Sequence, residues 1–509
     1  MANICILISI FVYLGFMIAV GVWYTKRNTS ADDFYLGGRK LGPYATAMSA
    51  EASDMSSWLL MGLPGLAFFH GLADPFWTAV GLAAGTWFNW LLVAKPLRYY
   101  SEKLNAITVP EFFTKRFGDS RHLLQGLAAV VIIVFFVPYT ASGFAACGKL
   151  FSTLFDWDYT MCMIISAVVI VGYTVLGGFL AASVTDLIQS IVMTIALAAV
   201  LVFGIFSAGG MESVLLNASQ VAGYLKVTAM GNILTGESSP YGLLTICSTL
   251  AWGLGYFGMP HILLRFMAIE DADKLKVSRR VGTIWVVISM AIAILIGVVG
   301  YGMVQNGALA GFESASAAEA IIVTIARLIS EHGILAALLA GLILAGILAS
   351  TMSTADSQLL AASSSMSHDL LCGFFGKRLS EKQKMLAARG ALSVIAVLGM
   401  ILARDPNSSV FTIVSFAWAG FGAAFGPAML CALFWKRTTW QGALAGMFTG
   451  GAMVFIWKFL LKPLGGVWGI YELLPAFLLS LAVIVAVSLL TKAPGKAVTA
   501  PFVAVKAMK

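Results

Sequence analysis

The sequence predicts an all-α polytopic membrane protein of about thirteen transmembrane helices, ten of them forming two five-helix units of opposite topology. Three observations point there. Hydrophobic residues make up 60% of the 509 and charged residues only 11%, against roughly 25% charged in a soluble domain, so a bilayer must replace water around most of the chain. The apolar residues are gathered into runs that approach or exceed the roughly 20 residues needed to span hydrocarbon. Finally, the first run of each five-helix unit carries an interruption at a corresponding position.

The runs lie near 3–24, 43–69, 75–97, 122–150, 159–181, 185–207, 240–263, 281–304, 335–366, 386–403, 409–435, 440–461 and 467–491. The first has neither a basic leader nor a small-residue cleavage site, so it is expected to remain as a helix. Assigning the loops alternately to two sides puts all but six of the 32 Lys and Arg residues on one side, the exceptions being Lys149, Lys226, Arg327, Arg404, Lys458 and Lys462. Lys26, Arg27, Arg39, Arg98, Arg116 and Arg265 are among those on the rich side. The positive-inside rule makes that side cytoplasmic, with the N-terminus outside and the C-terminus inside a plasma membrane such as the bacterial inner membrane. An odd number of spans follows.

The expected segments are a peripheral helix and loop over 1–42, a first five-helix repeat over 43–207 and an external loop over 208–239. A second repeat over 240–435, two peripheral helices over 436–491 and a cytoplasmic tail over 492–509 complete the chain. So short a tail leaves no room for a soluble catalytic or signalling module. The net charge of +8 reports membrane orientation rather than nucleic-acid binding, because the basic residues occupy short loops instead of one face. The six cysteines are scattered without metal-type spacing and read as small core residues. The five histidines likewise form no zinc pair, and no catalytic constellation or cofactor motif is present.

The repeats locate the chemistry. The second span contains Ala52-Ser53-Asp54-Met55-Ser56-Ser57 and then Gly62-Leu63-Pro64-Gly65, and the seventh contains Gly253, Gly255, Gly258 and Pro260. Unwound backbone at such matched breaks offers carbonyls and amides to a ligand near the bilayer midplane, whereas isolated glycines only allow close helix packing. Glu51 and Asp54 each cost about 2.5–3.5 kcal/mol near the bilayer centre unless compensated. Asp54 either caps the broken helix or serves a ligand, and Glu51 either shares that face or lies near a cytoplasmic vestibule.

The ninth span carries Ala349-Ser350-Thr351-Met352-Ser353-Thr354-Ala355-Asp356-Ser357, a hydroxyl cluster in a long apolar run. Its hydroxyls either bond their own helix or, with carbonyls freed in the second span, cage a hard monovalent cation such as sodium. Trp252 and Tyr256 stand one turn apart with Pro260 a turn further, and Pro138-Tyr139 lies in the fourth span. This stripe is either core packing or the wall of a binding site.

The run from Ser49 to Gly65, the segment Trp252-Gly253-Leu254-Gly255-Tyr256-Phe257-Gly258-Met259-Pro260-His261-Ile262-Leu263 and Met352-Ser353-Thr354 closely resemble the sodium/proline symporters of the sodium:solute symporter family. So do Leu36-Gly37-Gly38-Arg39, Gly177-Gly178-Phe179-Leu180-Ala181 with Thr185-Asp186, and the run from Trp418 to Pro427, so the resemblance extends almost end to end. It implies a LeuT-type core of two inverted five-helix repeats plus three peripheral helices. It also implies sodium-coupled symport of L-proline, with sodium as a co-transported ion and no cofactor or obligatory protein partner. By resemblance, sodium is held by carbonyls of Ala52, Met55 and Ser350 and hydroxyls of Ser353 and Thr354. Asp54, Asp186, Asp356 and Arg39 belong to coupling, and Asp186 and Asp356 form a sodium exit path. Proline lies near Ser56, Ser57, Tyr139, Trp252, Tyr256 and Pro260. The sequence departs from that pattern at Ser57, where glycine is common, at Glu51, where a small or uncharged residue is usual, and at Met259, where some members have glutamine. A symporter for pantothenate, another amino acid, a sugar or another carboxylate is the nearest alternative; a channel, a sensor or an intramembrane enzyme lacks its necessary features.

Overall fold

The computed structural model describes residues 1–25 and 35–507; Lys26, Arg27 and Lys509, which enter the charge balance, lie outside them. The chain is a helical bundle. It opens with α1 (Ala2–Thr25) and α2 (Pro43–Asp54), which a break and a π-helical turn (Trp58–Gly62) separate from α3 (Leu63–His70). Next, α4 (Ala73–Phe88) runs through a π-helical stretch (Asn89–Ala94) into α5 (Lys95–Lys103), followed by α6 (Val109–Phe117), α7 (Leu123–Phe155), α8 (Tyr159–Ser207) and α9 (Met211–Ser219). A small antiparallel hairpin, β1 (Ala229–Gly231) with β2 (Ser238–Pro240), pairs Met230 with Ser239.

The second half repeats the theme. Helix α10 (Leu243–Leu250) becomes a 3-10 segment (Ala251–Gly258), and α11 (Pro260–Ala268) resumes after Met259. Then come α12 (Leu275–Gln305), α13 (Ala315–Ala318), α14 (Ile321–Ser330), α15 (Ile334–Ser364), α16 (Glu381–Leu402), α17 (Val410–Phe434), α18 (Trp440–Ile456), α19 (Leu473–Leu490) and α20 (Lys496–Ala507). Among the described residues, ten helical stretches are individually long and apolar enough to cross a membrane. The other predicted spans, near 43–69, 159–181 and 240–263, are assembled from shorter pieces, so length and composition alone establish ten of the thirteen.

Several expectations are corrected. The loop expected at 182–184 is helical, and α8 turns instead at Gly178, whose φ of 71° and ψ of 178° suit a residue without Cβ. Gly62-Leu63-Pro64-Gly65 does not unwind; Pro64 sits in the first turn of α3, where a missing N–H is harmless. Gly65 there admits the backbone of Glu319, which a Cβ would approach to 2.7 Å. Arg98, Arg116 and Arg265, counted as loop cations, are buried. The Arg116 guanidinium donates to the Ala432 carbonyl at 2.8 Å and lies 4.9 Å from the Phe502 ring of α20. Of the six cysteines, Cys247 is exposed and Cys372 half-buried; the other four are buried. Helices α6 and α14, nine and ten residues long, were invisible to a span-length window; Thr108 caps the first by accepting from the Glu111 amide at 3.2 Å.

Close packing holds the broken segments against their neighbours. Helix α15 lies along α8, α1 and α7, while α17 packs on the 3-10 segment of the second repeat. On one face Lys149 pairs with Glu319 at 2.7 Å, and Glu319 also accepts from the Val410 and Phe411 amides at 3.0 and 3.2 Å. One buried carboxylate thus ties α7 to the start of α17 and to the turn that rests on Gly65. The 3-10 segment touches α4 backbone to backbone: a Cβ on Gly253 would come within 2.2 Å of the Gly81 carbonyl oxygen. Gly253→Ala should therefore destabilise the protein by about 1–3 kcal/mol, read as lowered thermal stability in detergent. Gly172→Ala, with nothing within 4 Å of its Cβ position, should change little beyond helix propensity.

Candidate functional site

Helix α2 ends where it does because Met55 leaves helical geometry, with ψ at 66°, after its amide has bonded the Glu51 carbonyl at 2.8 Å. Ser56 then folds back on Asp54, its amide donating to that carbonyl at 2.8 Å. The Asp54 carbonyl also accepts from the Trp58 indole at 3.0 Å and the Tyr139 hydroxyl at 3.3 Å. The break is built in, with donors from α7 and the following π turn taking over from the interrupted helix.

Beside it runs the hydroxyl-rich stretch of α15. The Ser353 hydroxyl lies 2.8 Å from the Ala52 carbonyl oxygen and 3.1 Å from that of Ser350. The Ser353 hydroxyl therefore touches two of the other expected sodium ligands, one on each of two helices. Thr354 Oγ1 is buried without a hydrogen-bond partner among the described residues, as are Asp54 Oδ1 and Ser57 Oγ. Met55 is fully buried at the turn itself. An oxygen-rich, carboxylate-flanked site of this kind suits a hard monovalent cation.

The second break supplies the aromatic wall. Tyr256 donates its hydroxyl to Asp54 Oδ2 at 2.6 Å, which joins the two broken helices directly. Trp252 is enclosed by Trp58, Phe411, Trp418 and Tyr471, with ring centroids 5.1–6.2 Å away. Two carbonyls of this segment, which the glycines led one to expect free, are taken up by side chains. Trp418 donates to the Trp252 carbonyl at 2.7 Å and Asn89 to that of Tyr256 at 3.0 Å. Ser56, Tyr139 and Thr354 line a cavity of about 10 Å³ with Thr140 and Gln358. Thus Ser56 and Tyr139 meet the α15 hydroxyls, while Pro260 starts α11 on the far side of the break.

The residues expected to act in coupling separate into three places. Asp54 lies at the junction just described. Asp186 and Asp356 lie deeper, where Asp186 Oδ2 accepts from Ser49 at 2.6 Å and pairs with Arg265 at 3.3 Å, and Asp356 accepts from Thr174. Arg265 also donates to Ser357 at 2.5 Å, bridging α11, α8 and α15. Asp186 is thus engaged through Oδ2 in a buried ion pair, while Asp186 Oδ1 and Asp356 Oδ2 are buried without a hydrogen-bond partner among the described residues. Arg39 is elsewhere, donating to the carbonyls of Met267 and Ala106 at 2.6 and 2.8 Å, and so ties the first loop to the ends of α11 and α5.

Sequence reasoning missed Arg265, Trp58, Trp418 and Asn89 as parts of the site. Trp58 and Trp418 stood inside motifs already singled out; Arg265 was hidden because it lies close to loop cations in sequence. Glu51 is not in a vestibule: it is 1% exposed and accepts from the Trp90 indole at 2.7 Å.

Two helices broken at matched positions, with a buried cluster of hydroxyl and carbonyl oxygens and an aromatic wall beside the breaks, are the architecture of a secondary transporter of the inverted-repeat type. The chain belongs to the sodium:solute symporter family, whose family model matches residues 34–450. It is 40% identical over 496 residues to the osmoregulated proline transporter OpuE of Bacillus subtilis, covering 97% of this chain and 96% of that one. The sodium/proline symporter of Escherichia coli is 40% identical over 498 residues, covering 97% and 95%, and that of Haemophilus influenzae 42% identical over 492, covering 96% and 95%. Among solved structures, a sodium-coupled sialic acid symporter in a substrate-bound outward-open state shares the fold, with a TM-score of 0.78 at 19% identity over 96% of this chain and 99% of that one.

Arg265→Met should leave Asp186 as an uncompensated buried charge and destabilise the protein by about 3–5 kcal/mol. Adding Asp186→Asn should recover much of that loss. Thermal unfolding of the two single variants and the double variant checks the pair; simple additivity would mean the two side chains do not interact.

Proposed function

We propose that the chain is a sodium-coupled symporter of L-proline that works by alternating access. The observation that carries this reading is the contact of Ser353 with the Ala52 carbonyl, beside the unpartnered oxygens of Thr354 and Asp54. It joins the two elements a sodium ion would bridge. Near-full-length similarity to sodium/proline symporters supports proline as the solute.

Sodium at this position is held by the carbonyls of Ala52, Met55 and Ser350 and the hydroxyls of Ser353 and Thr354. It orders the break in α2, and the same break presents Ser56 and Ser57 to the substrate. Asp54, bonded to Tyr256, transmits that order to the second broken helix. Sodium and proline therefore favour one conformation, which is the positive linkage that symport requires. A tenfold sodium gradient supplies about 1.4 kcal/mol and a potential of about 100 mV a further 2.3. Together they support accumulation of a neutral zwitterion by roughly several hundredfold.

Proline needs polar groups for its charged ends and an apolar wall for its ring. Ser56, Ser57 and Tyr139 supply the first, Trp252, Tyr256 and Pro260 the second. The buried, unpartnered hydroxyl of Ser57 favours one variation on this reading, a solute of the same size with an additional polar group. Thirteen crossings divided at 1–42, 43–207, 208–239, 240–435, 436–491 and 492–509, with the N-terminus outside, complete the proposal.

Uptake of labelled proline into proteoliposomes is expected only with an inward sodium gradient. Ser353→Ala, Thr354→Ala and Asp54→Asn should each raise the sodium concentration needed by about tenfold or more, equivalent to losing about 1.4 kcal/mol of ion binding. Trp252→Ala should raise the proline KM and leave sodium binding without proline nearly unchanged. Sodium-driven uptake of a different solute, unaffected by excess proline, would transfer the site to that solute. For orientation, a cysteine replacing Glu237 should react with an impermeant maleimide in intact cells, and one replacing Lys377 only after permeabilisation.

A further inference from the structure

A groove of about 810 Å³ opens on the side of the bundle where α7 begins, α15 ends and α18 begins. None of the site residues discussed above lines it. Its floor is built by a change of helix type: past Ser364 the chain of α15 continues as a π-helical stretch (Ser365–Phe374), which carries Leu370 and Phe374 onto α7. Gly126 makes this contact possible, since a Cβ there would lie 2.7 Å from the Phe374 ring, and Gly373 admits Gln125, 2.5 Å from its own Cβ position. The walls are apolar, with Leu123 and Val130 from α7 and Leu444 and Phe448 from α18. Val130, Phe374, Phe375 and Phe448 are all exposed. From Trp440 to Phe448 the groove follows α18 for about 12 Å, most of the roughly 15 Å of hydrocarbon in one leaflet.

The rim on the loop side is different. Trp440 and Gln441 stand there, and neither side chain makes a hydrogen bond among the described residues. Around them come Arg121, two residues before Leu123, Lys377 and Arg378, just after Phe375, and Lys436, four before Trp440. All four are exposed, and none makes an ion pair among the described residues. Lys377 is held over the helix end, because Gly376 turns the chain with φ at 63° and the Lys377 amide bonds the Leu371 carbonyl at 3.0 Å. The acids closest in sequence to the lining, Asp119 and Asp369, are buried. Asp119 accepts from the Leu124 amide at 2.7 Å, and Asp369 from Thr108 and Gln125 at 2.7 and 2.9 Å. An apolar wall thus ends in a cationic rim that no neighbouring acid neutralises.

We propose that this groove binds one anionic phospholipid, drawn from the leaflet on the side of the basic loops, with an acyl chain along the wall and its phosphate at the rim. The site is separate from the transport pathway and does not depend on which solute is carried. The wall by itself would accept any acyl chain; the rim selects the headgroup, because each Lys or Arg near an anionic headgroup adds attraction. Trp440 and Gln441 add N–H donors between the two, where an amphipathic ring is favoured at the membrane interface. Free phosphate would leave the apolar wall uncovered. A second copy of the chain, related by a two-fold axis, would set one cationic rim against another. The walls come from α7, which carries Tyr139, from the continuation of α15, which carries Ser353, and from α18, outside the repeats proposed above. A lipid seated there bridges the core to a peripheral helix.

The test uses the full-length protein purified in mild detergent and given phosphatidylglycerol or phosphatidylcholine with matched acyl chains, the retained lipid being counted by native mass spectrometry. The wild type should retain phosphatidylglycerol at least about fivefold more than phosphatidylcholine. Arg121→Gln, Lys377→Gln, Arg378→Gln and Lys436→Gln combined should abolish that preference. Lys276→Gln with Arg280→Gln, exposed cations of α12 outside the groove, should leave it intact. Ala445→Trp, which fills the groove, should lower retention of both lipids. The four rim cations lie on the surface, so their arm of the test stands even if Ala445→Trp does not fold. Equal retention of the two lipids by the wild type, or an unchanged preference in the fourfold variant, overturns the proposal. So does full retention by Ala445→Trp, or a wild-type spectrum of dimers without lipid, which would give this face to a second copy. Sodium-driven uptake is a separate measurement, so the lipid site and the transport reading can each fail without the other.

Discussion

The hydrogen bond from Tyr256 to Asp54 is the constraint on which the rest of the site depends. It connects the two helices that the bilayer would otherwise require to be continuous. In hydrocarbon every interrupted backbone group must find a partner within the protein. Here the break in α2 is satisfied by Trp58, Tyr139 and Ser353, and the break in the second repeat by Trp418 and Asn89. The oxygen-rich cluster between α2 and α15 and the aromatic wall are consequences of that repair.

The repair also explains where the polar atoms are and are not free. In the second break the carbonyls of Trp252 and Tyr256 are capped by side chains, and aromatic rings surround Trp252. Beside the first break the side-chain atoms Asp54 Oδ1, Ser57 Oγ, Thr354 Oγ1 and Gln358 Nε2 are buried without a hydrogen-bond partner among the described residues. Surplus acceptors attract positive charge.

A second polar layer, Arg265 with Asp186, Ser49 and Ser357, fixes α11, α8 and α15 relative to α2. A buried ion pair of this kind contributes little net stability but penalises any arrangement that separates its partners. It lies where helices of the two repeats meet, so movement of one repeat against the other must either carry the pair along or break it. The Lys149–Glu319 pair makes a similar tie between α7 and α17.

The sequence by itself determined the class of fold and the two elements that carry the chemistry, because both depend on local rules. Hydrocarbon demands long apolar runs, and polar residues inside them, such as Asp54 and the Ser350–Thr354 stretch, stand out against that background. Only the tertiary structure decided the partners. Arg265 looks like a loop cation by position and is a buried bridge because three helices converge on it. Gly62-Leu63-Pro64-Gly65 looks like a break and is continuous helix because its glycines serve contacts with Phe411 and Glu319. Glu51 and Asp54, three residues apart, face different neighbours, the Trp90 indole and the Tyr256 hydroxyl. Spacing along one helix fixes which side chains share a face. What each meets there is set by packing between helices far apart in the chain.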